Sequence, residues 1–145
     1  MTNQGKASWP LPDVANVDKP FWDAVQDEKF LLQKCRECGR LQFLPRPVCV
    51  ECFSMDLDWQ ESQGTGRIYS FTHVFAPVRP GPRKQVSETG VPIIFAAIDL
   101  DEGVRAMSEL VDCKPGEVRT GDRVQVCFRE ATDTDFKLPK FRLVE

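Results

Sequence analysis

The chain has 145 residues, with 19 Lys and Arg against 22 Asp and Glu, a formal net charge of −3 and a pI of about 5.3. That balance counts against nucleic acid as the main partner, because gripping a phosphate backbone needs a basic surface. Hydrophobic residues make up 41%, enough for one average core or two small ones, and no apolar run reaches the 18 residues of a membrane helix.

Residues 1–17 hold two prolines and no helical period, which predicts an extended tail. The opening Met1–Lys6 lacks the apolar middle of a secretory signal, so the expected location is cytoplasmic, with reduced thiols. Asp18 reads as an N-cap, with Pro20 in the first turn of a helix that ends near Glu28. Phe21, Trp22 and Val25 share one side of it. A helix of about ten residues is unstable alone. It has to dock on the ribbon, the barrel or a second protein.

Phe30 to Lys34 predicts a strand leading into Cys35-Arg-Glu-Cys38-Gly39, and ten residues separate Cys38 from Cys49-Val-Glu-Cys52. Each Cys-x-x-Cys pair forms a knuckle that aims two thiolates at one metal. Two knuckles fill a tetrahedral shell, so Cys35, Cys38, Cys49 and Cys52 are the expected ligands of a structural zinc. Iron in a rubredoxin-like site is the alternative ion. Disulfides or a redox dithiol fit less well, since a redox motif needs one pair, usually in a βαβ setting. Four thiolates leave no open position for water or substrate.

Leu41 to Leu44 leaves the first knuckle, and Pro45 and Pro47 stop regular pairing before the second. Phe53, Leu57 and Trp59 carry the chain outward to Gly64-Thr-Gly66, a joint between modules. The expected division is a tail over 1–17, a helix and ribbon over 18–62, and a barrel over 63–145. Arg67 to Ala76 alternates, placing Tyr69, Phe71, His73 and Phe75 on one face. Pro77 to Gly90 reads as a long loop carrying Arg79, Arg83 and Lys84. Val91 to Leu100 is apolar at both parities and predicts a strand buried on both sides. Asp101-Glu-Gly103 is a hairpin turn, and Val104 to Val111 returns. Arg123 to Arg129, with Val124, Val126 and Phe128 inward, and Lys140 to Val144 complete five strands. The fold class is therefore mainly β: a short helix, a zinc ribbon and a five-stranded OB-fold barrel.

Little in the chain looks catalytic. His73 is the sole histidine and sits among aromatics, where a packed ring is the ordinary outcome. Cys113 and Cys127 read as free thiols, with Cys127 outward beside Arg123, Gln125 and Arg129. A rival reading makes the chain an enzyme that uses His73 or Cys127, but no second histidine exists to activate the thiol. Asp99, Asp101 and Glu102 fit solvated turn chemistry. Arg79, Arg83 and Lys84 form the best anion site, suited to the phosphates of a nucleotide-like ligand.

Several runs carry a family resemblance over nearly the whole chain. They are Pro20-Phe-Trp-Asp-Ala, Leu31-Leu-Gln-Lys-Cys35-Arg-Glu-Cys38-Gly39 and Phe43-Leu-Pro45-Arg46-Pro47 before Cys49. Gly64-Thr-Gly66-Arg67-Ile-Tyr69-Ser70-Phe71-Thr72, Val91-Pro-Ile-Ile, Asp101-Glu-Gly103 and Gly121-Asp122-Arg-Val-Gln-Val follow. In this order they resemble the bacterial and archaeal family that joins a rubredoxin-like zinc ribbon to an OB-fold, long known only as a domain of unknown function. The resemblance implies a non-catalytic accessory subunit of CoA-thioester chemistry. Its partner would be a thiolase-like or aldolase catalytic subunit, or alternatively an enoyl-CoA hydratase, and the chain would help to hold CoA. A nucleic-acid-binding ribbon and barrel is the remaining alternative. Phe21, Trp22, Ile94 and Ile98 are expected to supply apolar surface for the partner contact.

Overall fold

The computed structural model describes residues 11–14, 17–75, 90–131 and 134–145. Arg79, Arg83 and Lys84 lie outside them. One helix, α1 (Lys19–Gln26), precedes a small antiparallel sheet of β1 (Phe30–Cys35), β2 (Leu41–Gln42) and β3 (Leu57–Ser62), in the order β2-β1-β3. Five further strands close a barrel: β4 (Thr65–Val74), β5 (Ile93–Leu100), β6 (Arg105–Val111), β7 (Arg123–Glu130) and β8 (Lys137–Leu143). They run around it in the order β4-β5-β6-β8-β7, with β6 and β8 parallel and the other neighbours antiparallel. The five-stranded OB-fold reading holds.

The helix starts with Pro20 in its first turn, where a missing N–H costs nothing. Asp18 is the N-cap residue, and its carbonyl accepts the Trp22 N–H at 3.1 Å, but its side chain makes no capping bond. Its carboxylate instead accepts the Trp22 indole N–H at 3.2 Å. The helix docks on its own chain. Phe21 and Val25 are buried, and Gln26 pairs with both backbone groups of Lys137, donating to the carbonyl at 3.2 Å and accepting from the N–H at 2.9 Å.

Helix, ribbon and barrel meet at four phenylalanines. Phe30 of β1 packs on Phe21 (5.8 Å between ring centroids), Phe43 (5.5 Å) and Phe141 of β8 (6.0 Å). This placement corrects the expected interface residues. Phe21, Ile94 and Ile98 are core, exposed by 3% or less, and half-buried Trp22 stacks on Phe136. A closed barrel hides its inward strand faces itself, so the apolar content of β5 is internal demand rather than spare surface.

The alternation of β4 breaks at a bulge between Ile68 and Ser70. Ile68 and Phe71 oppose the buried Ile98 and Ala96, a spacing of three where a regular strand has two. The extra residue turns Tyr69 outward, where Arg105 stacks on its ring at 3.5 Å. Tyr69 therefore leaves the face it was expected to share with Phe71 and His73. β5 is also less buried than expected, because Phe95 and Asp99 look outward.

The first sheet ends at Ser62 and the barrel begins at Thr65, with two glycines that have no room for a side chain. Gly64 has a φ of +65°, and a Cβ there would lie 2.1 Å from Val126 Cγ1. At Gly66 a Cβ would meet the Asp99 carbonyl oxygen at 2.4 Å.

Candidate metal centre

The two knuckles are built alike. In the first, the Cys35 N–H donates to the Arg40 carbonyl (2.8 Å) and the Gly39 N–H to the Cys35 carbonyl (2.9 Å). In the second, the Cys49 N–H donates to the Ser54 carbonyl (2.9 Å) and the Phe53 N–H to the Cys49 carbonyl (3.1 Å). Both turns need a left-handed residue after the second cysteine, supplied by Gly39 at φ +73° and by Phe53 at φ +59°. The ring of Phe53 is 75% exposed, and nearby Met55 is 79% exposed.

These turns bring the Sγ atoms of Cys35, Cys38, Cys49 and Cys52 within 4.8 Å of one another. Cys35 to Cys52 measures 3.5 Å and Cys38 to Cys49 measures 3.6 Å. Four sulfurs about 2.3 Å from one ion at tetrahedral corners stand about 3.8 Å apart. The donor set and its spacing therefore fit zinc. Cys35 and Cys49 are buried, while Cys38 and Cys52 face outward. Backbone N–H groups of Cys52 and Glu51 pull the Cys49 thiol down to about 7, favouring the thiolate a metal needs. At Cys38 the N–H of Arg40 pulls the same way but is outweighed by desolvation and the other sulfurs, which push the thiol up to about 12. Packed sulfurs resist a second negative charge unless a cation sits among them.

A buried amide pair, unforeseen from the sequence, sets the second knuckle against the first. Gln42 donates to Gln33 Oε1 at 2.8 Å and to the Val48 carbonyl at 3.2 Å. Gln33 Oε1 also accepts the Arg46 N–H at 2.8 Å, and Gln42 Oε1 accepts the Val50 N–H at 2.9 Å. Residues 43–50 have no strand of their own, so these bonds replace a ladder. The available signal was two glutamines at ribbon strand positions where polar side chains need buried partners.

The hairpin acids are structural as well. Asp101 receives both guanidinium nitrogens of Arg123 (2.7 and 2.8 Å) and the Thr65 hydroxyl (2.6 Å). Glu102 accepts from the Ser62 hydroxyl (2.6 Å) and the Gln63 N–H (3.1 Å), tying the barrel hairpin to the ribbon's last strand. The Arg123 fork, then Thr65, holds the Asp101 carboxyl well below the usual carboxylate range. A depressed folded-state value gives stability that is complete above the unfolded value of about 4 and lost as pH falls toward the folded value. Asp101→Asn should therefore lower the urea midpoint at pH 7, with the gap to wild type closing as pH falls below about 4. Urea melts across that range check it.

The remaining candidates are packed groups. His73 Nε2 lies 3.2 Å from the Pro115 carbonyl, and the ring contacts Phe71 and Phe75. Cys127 is buried, which corrects the outward reading. It sits opposite Lys140, with Arg129, Asp112 and Arg142 near enough to act on its thiol. Desolvation pushes both Cys113 and Cys127 upward, and a protonated thiol is a poor nucleophile.

A closed four-sulfur ribbon leading into a closed five-stranded barrel defines a two-module protein of the zinc-ribbon and OB-fold class. The chain belongs to the ChsH2 family, also called DUF35. Residues 22–58 match the ChsH2 rubredoxin-like zinc ribbon domain, and residues 59–129 match the ChsH2 C-terminal OB-fold domain. Among solved structures it is similar to the Ltp2-ChsH2(DUF35) aldolase, with 29% identity and a TM-score of 0.77 over 92% of this chain and 98% of that one. It is 33% identical to a DUF35 domain-containing scaffold protein of Methanothermobacter thermautotrophicus, over 69% of this chain and 71% of the relative. A probable enoyl-CoA hydratase alpha subunit of Thermomonospora curvata is 33% identical over 94% of this chain, which spans 40% of that subunit's length. The benzoylsuccinyl-CoA thiolase subunit BbsA of Geobacter metallireducens is 29% identical over 60% of this chain and 51% of its own.

Proposed function

We propose that the chain is a non-catalytic accessory subunit of a heteromeric CoA-thioester enzyme. Its first-choice partner is a thiolase-like protein that cleaves a carbon–carbon bond by thiolysis or retro-aldol chemistry. The observation that carries this is the closed sulfur centre. Cys35, Cys38, Cys49 and Cys52 would hold a zinc with no position left for substrate, so the metal supplies rigidity rather than Lewis-acid chemistry. Both other cysteines are held as thiols, and the one histidine is packed, which supports a partner that brings the acid–base groups. The aldolase and thiolase relatives support the class of partner. The enoyl-CoA hydratase relative, which matches 94% of this chain, favours a second reading, in which the partner is an enoyl-CoA hydratase.

In this reading the ribbon over 18–62 and the barrel over 63–145 act as one rigid support, joined by the phenylalanine cluster and the Glu102 bonds. Arg79, Arg83 and Lys84 reach the CoA phosphates, a role suited to planar forks. The partner interface buries at least ~1,200 Å², as specific complexes do. The test is copurification of the untagged chain from its native cells, followed by native mass spectrometry. The expected result is a stoichiometric complex with a thiolase-like or aldolase subunit, and a hydratase there would select the second reading. Arg79→Glu with Arg83→Glu should raise the KM for CoA thioester at least tenfold and leave assembly intact. An unchanged KM would remove the phosphate role.

A further inference from the structure

A cationic feature lies within the described residues. It is a cleft of about 580 Å³ where the ribbon faces the Gly103 hairpin. Three guanidinium groups come to this cleft from three parts of the chain: Arg40 after the first knuckle, Arg46 before the second, and Arg105 at the start of β6. The one carboxylate among its lining residues is Asp99, which Arg105 binds with two nitrogens at 2.7 and 3.1 Å. The lining carries three arginines and one aspartate, and with Glu51 beside Arg40 one positive charge is left over, in a chain of net charge −3. Arg40 reaches Glu51 at 3.4 Å, whereas the Arg46 side chain has no hydrogen bond or ion pair among the described residues. Its backbone is what the Gln33 amide holds, so the head group sits on a fixed base.

Beside the cations are apolar walls. Leu41, Phe43 and Val50 come from the ribbon, and Val104 faces them from the barrel. A cleft that sets the Arg46 fork and the exposed, long-paired Arg40 beside apolar walls matches a ligand that joins phosphate to a flat, weakly polar ring. Inorganic phosphate alone would use the fork and leave the walls unused. We propose that this cleft binds an adenine nucleotide, with Arg46 and Arg40 on its phosphates and the base against the ribbon wall. This proposal does not rest on the function proposed above.

The full-length zinc-loaded chain should bind ADP in calorimetry with a Kd below about 1 mM. Pyrophosphate should bind at least tenfold more weakly. Arg46→Glu should weaken ADP at least tenfold while zinc content and urea midpoint stay unchanged, because only the exposed side chain is replaced. Arg46→Lys, which keeps the charge and loses the fork, should fall between. The proposal is overturned by no ADP binding at millimolar concentration, by ADP binding that ignores Arg46→Glu, or by pyrophosphate binding as tightly as ADP. CoA used as a third probe separates the readings: binding of ADP without CoA would keep this cleft and take it out of CoA chemistry.

Discussion

Cys35→Ser is expected to yield protein without metal, either insoluble or with an unfolded ribbon. Zinc held by a small site contributes roughly 10–16 kcal/mol of apparent binding free energy, coupled to folding. The first sheet has only three strands, one of two residues, and residues 43–50 are held by two amides. Such a module has too little apolar core to fold without the ion. Elemental analysis should find one zinc per wild-type chain and none in the variant. A folded, soluble wild-type chain without metal would contradict the assignment. Removal of zinc by a chelator should unfold the ribbon first, because the barrel closes its own hydrogen-bond ring.

Phe30→Ala should be the most damaging single change in the apolar core. The ring is 2% exposed and touches the helix through Phe21, the β2–knuckle segment through Phe43 and the barrel through Phe141. Deleting a buried phenyl ring costs about 3–5 kcal/mol from lost burial and the cavity left behind. The position adds a second effect. With the shared ring gone, ribbon and barrel should melt as separate units. Tryptophan emission, dominated in the described residues by Trp22 and Trp59 of the helix and ribbon, should lose its coincidence with far-UV circular dichroism during urea unfolding. Coincident transitions with an unchanged midpoint would show that Phe30 does not join the modules.

The metal centre was legible in the sequence because its geometry is local. Each Cys-x-x-Cys turn fixes two sulfurs by itself, and only the facing of the two turns needs the rest of the fold. Strand positions were legible where alternation ran unbroken, as at Val124, and failed at Tyr69, where one extra residue reversed the face. The expected interface failed for a different reason. Phe21, Ile94 and Ile98 announce burial, but hydrophobicity does not say whether the cover comes from the same chain. Cys127 failed because alternation marks it as outward and says nothing of what else packs there, yet the residue is buried, opposite Lys140 across the ladder. The glutamine pair and the Glu102 bonds link residues up to 40 positions apart, beyond any local pattern. Phe53 and Met55 are among the large apolar groups the structure does leave bare, and they follow directly on the second knuckle. They are better placed than Ile94 or Ile98 to meet a partner.

The central claim is that this chain supports chemistry carried out by another polypeptide. The most direct measurement is turnover of a CoA thioester by the purified partner alone, by this chain alone, and by the two recombined. The account predicts no turnover by this chain, weak or no turnover by the partner, and full activity on mixing at the stoichiometry of the native complex. Turnover by this chain alone at an enzyme-like rate, abolished by Cys127→Ala or His73→Ala, would contradict it.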